Sequence, residues 1–221
     1  VTDSVTAAGS SGCHVGDLDA KSSLTFVNSD FTGKTTGIAL GVMRAGASLT
    51  MSGGSATATQ AGSRSLNVQN PNGAAITVTS ARFSGTCHLG SSGSYAGNVV
   101  RLTDFTVVAS AMGGTGSLAV NGFQGGSLQC DGCSIISTGA TASLYLQGIG
   151  DMELSFTNFA VSSDTTAVML LASSGSAVTM ADGVVSASAN DGLSVQSAAG
   201  VALHLSNVTT SAPAVALRLK G

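Results

Sequence analysis

Eight times along the chain an apolar residue opens a short stretch of the same design, at Leu24, Leu49, Ile76, Val100, Leu128, Leu154, Val178 and Leu203, with spacings of 25, 27, 24, 28, 26, 24 and 25 residues. No other feature constrains the fold as much. A period of this length asks for one supersecondary unit that stacks on copies of itself and buries a shared core only when stacked. Two places after each start stands a second core candidate: Phe26, Met51, Val78, Leu102, Cys130, Phe156, Met180 and Leu205. Two inward positions separated by one outward position is the period of a β-strand.

Four places after each start come Asn28, Gly53, Ser80, Asp104, Gly132, Asn158, Asp182 and Asn207, all small turn formers. Such residues tolerate left-handed backbone angles, and their side chains can hydrogen-bond the local backbone, so the column predicts one sharp corner in every copy. A second strand follows the corner, with Phe31, Phe83, Val107, Ile135, Val161 and Val185 facing inward. After a variable loop a third strand is marked by apolar pairs: Ile38 and Leu40, Leu66 and Val68, Leu118 and Val120, Leu144 and Leu146, Val168 and Leu170, Leu193 and Val195, Leu217 and Leu219. The copy at Ile76 shows no clear third strand, and "TCHLGSSGSYAGN", within residues 85–98, reads as an extended loop.

Three strands per repeat can close one coil, each strand pairing with its counterparts roughly 4.8 Å above and below. The expected fold is all-β: a right-handed parallel β-helix, or β-solenoid, of about eight coils of 24–28 residues over residues 22–221, with residues 1–21 as a partial N-terminal coil or lead-in to the same single domain. A sandwich would need hairpins, and a propeller four strands per blade. A corner column of Asn and Asp between two short strands resembles the pectate-lyase-like superfamily of parallel β-helices, whose asparagine ladder it matches over residues 22–221. That superfamily holds polysaccharide lyases and hydrolases, tailspikes, passenger domains and microbial surface proteins, so the resemblance implies an architecture and leaves the function to the residues.

A lyase or hydrolase needs clustered carboxylates, often with a cation nearby. The acids here are scattered, the tightest group on adjacent coils being Arg101, Asp104, Asp131, Asp151 and Glu153. Asp104 is a corner residue and Glu153 precedes its strand, so a structural reading outweighs a polysaccharide-active enzyme, and no catalytic residue is assigned. "GCHVG" and "TCHLG" put Cys13 and Cys87 directly before histidines. Neighbours on a strand face opposite ways, and the two pairs would lie about three coils apart, roughly 14 Å, too far to share one ion. No metal site and no cofactor is implied. Cys130 and Cys133 straddle the fifth corner in "CDGC", either as a disulfide that clips it or as reduced, packed thiols; Cys13 and Cys87 have no evident partners.

With 43% hydrophobic residues, only 9% charged and a net charge of -3, the chain offers no basic patch for nucleic acid and no apolar run long enough to span a membrane. Its start carries no basic and apolar leader pattern. Four cysteines, a Gly and Ser rich exterior and a glycosylation sequon at Asn207 point to an extracellular or cell-surface setting. A buried ladder asparagine could carry no glycan, which weighs against that sequon.

The outward position after each start holds Thr25, Thr50 and Thr77, then Arg101, Gln129, Ser155, Thr179 and His204. A flat face with a file of threonines resembles the ice-binding surfaces of antifreeze proteins, although threonine also suits any exposed strand. Carbohydrate binding would favour exposed aromatics, and Tyr145 is the one clear outward candidate. Neither "VTDSVTAAGSSG" nor "PAVALRLKG" reads as a cap, so the expectation is a segment of a longer solenoid or a subunit that self-associates end to end. The reading that follows is an extracellular structural or adhesive surface module, filament-forming by stacking, with ice or a glycan surface as further candidate partners.

Overall fold

The structure, a computed structural model, describes residues 5–7, 10–91, 93–110 and 116–220. These contain strands, turns and bends and no helix. The strands pair in parallel, each with its counterpart one repeat away, so the chain forms a β-solenoid of about eight turns. Each coil has a leading, a middle and a trailing strand, as in Ser23–Val27, Asp30–Gly33 and Thr36–Met43. Three stacked files of strands result.

The register follows the apolar columns. Leu24 pairs with Leu49, Leu49 with Ile76, and the line continues through Val100, Leu128, Leu154 and Val178 to Leu203. A one-residue slip would turn every one of these side chains outward, so burial locks the register. On the middle strands the inward column runs from Phe31 through Ala56 and Phe83 to Val185, and on the trailing strands from Cys13 through Ile38 to Leu217. Phe26, Phe83, Phe105, Phe123 and Phe156 are among the largest fully buried side chains. Each such burial stabilises the fold by roughly 1.5–3 kcal/mol before entropy is counted. Rings also meet in pairs: Phe26 with Phe31 at 4.7 Å between centroids, tying leading to middle strand within a coil, and Phe83 with Phe105 at 5.3 Å, tying the middle strand of one coil to the corner of the next.

Two expectations are corrected. Residues 85–98 are largely paired strand: Thr86–Leu89 is the trailing strand of its coil, joined to the strands on either side, and the next leading strand begins at Tyr95. Cys87 and Leu89 fill the inward columns there. A cysteine serving as a small hydrophobe, followed at once by a Gly and Ser run, concealed the pattern. In the last two coils, moreover, the leading and middle strands fuse across the corner into Ala177–Ala187 and Ala202–Ser211.

Gly183 sits inside the first fused strand because the Phe159 ring of the coil below presses against its α-carbon. Any side chain at Gly183 would collide with that ring. A larger inward side chain from one coil is thus accommodated by a missing one in the next, the alternation that close packing requires.

Candidate functional site

All eight corner residues adopt the left-handed backbone conformation, with φ between 45° at Asn28 and 69° at Gly53. This is the physical reason for the column: Asn, Asp, Ser and Gly tolerate this region better than β-branched residues do. Their side chains do not form an interior ladder. Asn28, Ser80, Asp104, Asn158, Asp182 and Asn207 are all exposed, and the column makes a ridge along the outside of the solenoid. Asn207 donates from Nδ2 to Asp182 Oδ1 at 2.8 Å, and Asn158 donates to Asp131 Oδ1 at 2.9 Å. The bond from Asn158, with a further one from Thr157, holds the Asp131 carboxyl below its ordinary range. The asparagine that serves the buried backbone is Asn98, in the leading strand that begins at Tyr95. Its Oδ1 accepts from the Ala74 amide at 3.0 Å, and its Nδ2 donates to the carbonyls of Pro71 and Tyr95. The sequence column marks a backbone conformation that points its side chains away from the core. Asn207 and Thr209 of the sequon are both exposed.

On the leading face Thr25, Thr50 and Thr77 stand in direct register, followed by Arg101, Gln129, Ser155, Thr179 and His204 in the same outward column. The face is therefore a short threonine file that charge and amide groups interrupt. Asp30, at the start of the adjoining middle strand, accepts a 2.6 Å hydrogen bond from Ser55 of the next coil.

Cys130 and Cys133 form a disulfide, buried at 1% and 2% exposure, with their Cα atoms 5.9 Å apart. It closes the fifth corner from the inside. Cys13 and Cys87 are free thiols in one inward column of the trailing strands, separated by Ile38 and Leu66. Burial pushes the Cys87 thiol up to about 12, and Cys13 is raised for the same reason. The adjacent His14 and His88 point the other way, in the outward column of that face. His88 is lowered to about 4 by burial and by the nearby Arg64 guanidinium. Among the described residues no three His, Cys, Asp or Glu side chains gather to hold a metal ion.

Asp104, Asp131, Asp151 and Glu153 are exposed, and Arg101 forms no ion pair with any of them among the described residues. Asp191 is the acid that the fold buries. Nearly buried, it accepts two hydrogen bonds from Arg218, at 2.5 and 3.0 Å, and so ties the last two trailing strands together. Tyr145 faces outward from its sheet, yet it is only 6% exposed, packed with Ala119, Ala142, Met169 and Leu171 in a small cluster of its own. The aromatic platform expected there is therefore covered.

Compared with known proteins, the chain matches no family model, no curated protein and no solved structure. Its class rests on its own geometry: a parallel β-solenoid with a closed apolar core, an outward corner ridge and outward faces poor in charge.

Proposed function

We propose that the chain is an extracellular structural module of a cell surface or filament, a non-catalytic right-handed β-helix of the pectate-lyase-like kind, in which coils continue end to end from one copy to the next. Support comes from the last described coil, whose open strand edge a further coil, of a second copy or of a longer parent chain, would cover. Leu217 and Leu219 stand in the inward columns of the trailing strands yet are 39% and 67% exposed, and Leu203 and Leu205 are only half-buried where interior coils bury their counterparts. A further coil in the same register would cover these side chains and the open strand edge together. The Cys130–Cys133 disulfide supports an oxidising compartment. Light scattering over a range of concentrations tests the proposal. The mass of the native chain is expected to rise with concentration and that of Leu219→Lys to stay monomeric, whereas a native chain that is monomeric throughout overturns it.

A second reading, ice binding, is supported by the in-register file Thr25, Thr50 and Thr77 on a flat parallel sheet. Thermal hysteresis in the native chain, reduced in Thr50→Lys, is the expected outcome for that reading. Unaltered freezing behaviour and unshaped crystals would end it.

A further inference from the structure

Among the described residues, the large apolar side chains left exposed fall in two places: Val215, Leu217 and Leu219 on the terminal coil, and Val108, Ile136 and Val184 on the outer face of the middle strands. Stacking accounts for the first group and not for the second. Val108 and Ile136 are paired in register on the fourth and fifth of the eight middle strands that run from Asp30 to Ser211, so they sit at the centre of that face. One outward column passes from Asp30 through Arg82, Ala160 and Val184 to Thr209, and the other from Thr32 through Val108 and Ile136 to Ser211. Asp30 and Arg82 are the charged residues in these columns, and Asp30 is already bonded to Ser55.

Two such faces fit one another when a second copy is turned end for end about an axis that runs along the strands between Val108 and Ile136. The two sheets then lie with their strands aligned, about 10 Å apart. Val108 meets the partner's Ile136 at the centre, and Ile136 meets the partner's Val108, as an isologous contact requires. Arg82, on the third strand, falls opposite the partner's Ala160 on the sixth. An acid waits there. Asp182 lines, with Ala160 and Asn158, an open groove of about 570 Å³ beside the corner ridge. Neither Arg82 nor Asp182 has an ion-pair partner within its own chain among the described residues. Two copies running the same way would instead set their Arg82 side chains on one level, like charge beside like charge, so the antiparallel arrangement is favoured.

Eight strands at roughly 4.8 Å, each about four residues long at about 3.3 Å, give a face of about 500 Å², so two copies bury on the order of 1,000 Å², the lower limit for a specific interface. One pair of copies therefore holds weakly, whereas a stack multiplies the contact along its length. We propose that this face pairs two stacks of the chain side by side in opposite directions, through Val108 on the partner's Ile136 and Arg82 on the partner's Asp182. The pairing rests on the end-to-end reading for its strength, though not for its geometry.

Scanning transmission electron microscopy of filaments grown from the full chain reads the pairing as mass per unit length. Native filaments are expected at twice the value of a single stack. Val108→Lys and Arg82→Glu should give filaments of half the native value, and Arg82→Glu combined with Asp182→Lys should return to it, with circular dichroism confirming that each variant is folded. Native filaments of single-stack mass overturn the pairing, leave stacking intact and free the face for another partner; a doubled mass that Val108→Lys does not change overturns it as well. Cross-linking decides the pairing without filaments, so that a failure of stacking is told apart from a failure of this inference. In a Cys13→Ser background at millimolar concentration, Val108→Cys chains mixed with Ile136→Cys chains are expected to oxidise to a dimer several-fold faster than Thr50→Cys chains, whose thiol lies on the leading face, mixed with the same Ile136→Cys chains. Equal rates overturn the proposal.

Discussion

At the scale of single residues, His88 has the clearest measurable consequence. Its pKa falls from 6.5 to about 4 in the folded chain because burial and Arg64 both oppose a second positive charge. The unfolded chain therefore takes up a proton between these values and the folded chain does not. Stability is full above pH 6.5 and drains away as pH falls toward 4, by on the order of 2–3 kcal/mol. Denaturant melts at pH 7, 5.5 and 4 should show this loss in the native chain and a much flatter profile in His88→Gln, and identical profiles would refute the assignment. Asp131 acts in a separate, more acidic window, since a depressed carboxyl supports the fold above its ordinary value of 3.8 and ceases to as pH drops further. The sequence shows that His88 follows a cysteine but not what surrounds it. Arg64, His88, Asn121 and Gln147 come from four coils, and only the register brings them to one trough on the outer side of the trailing strands. A faint signal was present in the amides Asn121, Gln147 and Gln196, which recur at the end of the trailing strands.

At the scale of elements, the corner between leading and middle strands is the most legible feature, because a backbone requirement repeated eight times leaves a column of letters. Side-chain direction was not legible: the same letters serve an inward ladder and an outward ridge, and the distinction depends on which way the bend turns. The residue after each corner was missed for a different reason. Ala81, Phe105, Cys133 and Phe159 all point inward and are buried, but their sizes differ so much that no hydrophobic period is visible. Gly132 allows a test of the corner. It holds φ at 67°, and a β-carbon there would come within 2.6 Å of Asp104 Oδ1 of the preceding coil. Gly132→Ala should therefore cost about 1–2 kcal/mol from the left-handed conformation alone, with more from the contact. Asp104→Gly, which removes the obstacle, should recover part of that loss in the double variant, and strictly additive effects in thermal melts would contradict the contact.

At the scale of the whole molecule, three files of strands and the order of the coils follow from the repeat, because identical units can satisfy their edges only against one another. Composition added the reason the surfaces are quiet, since only 9% of the residues are charged. What composition and period could not supply is the meeting of residues from separate coils, which is where both the Asp191–Arg218 tie and the trough arise.

The parallel register has one more consequence, and it concerns time. In this chain each strand finds its partner about one repeat away, Leu24 with Leu49 and Val178 with Leu203, so no pairing waits for the distant end of the chain. Partners some 25 residues apart in 221 give a relative contact order of roughly 0.1, nearer to helical bundles than to sandwiches. An all-β protein of this kind can begin folding at any coil and grow outward in both directions, faster than its strand content alone would suggest.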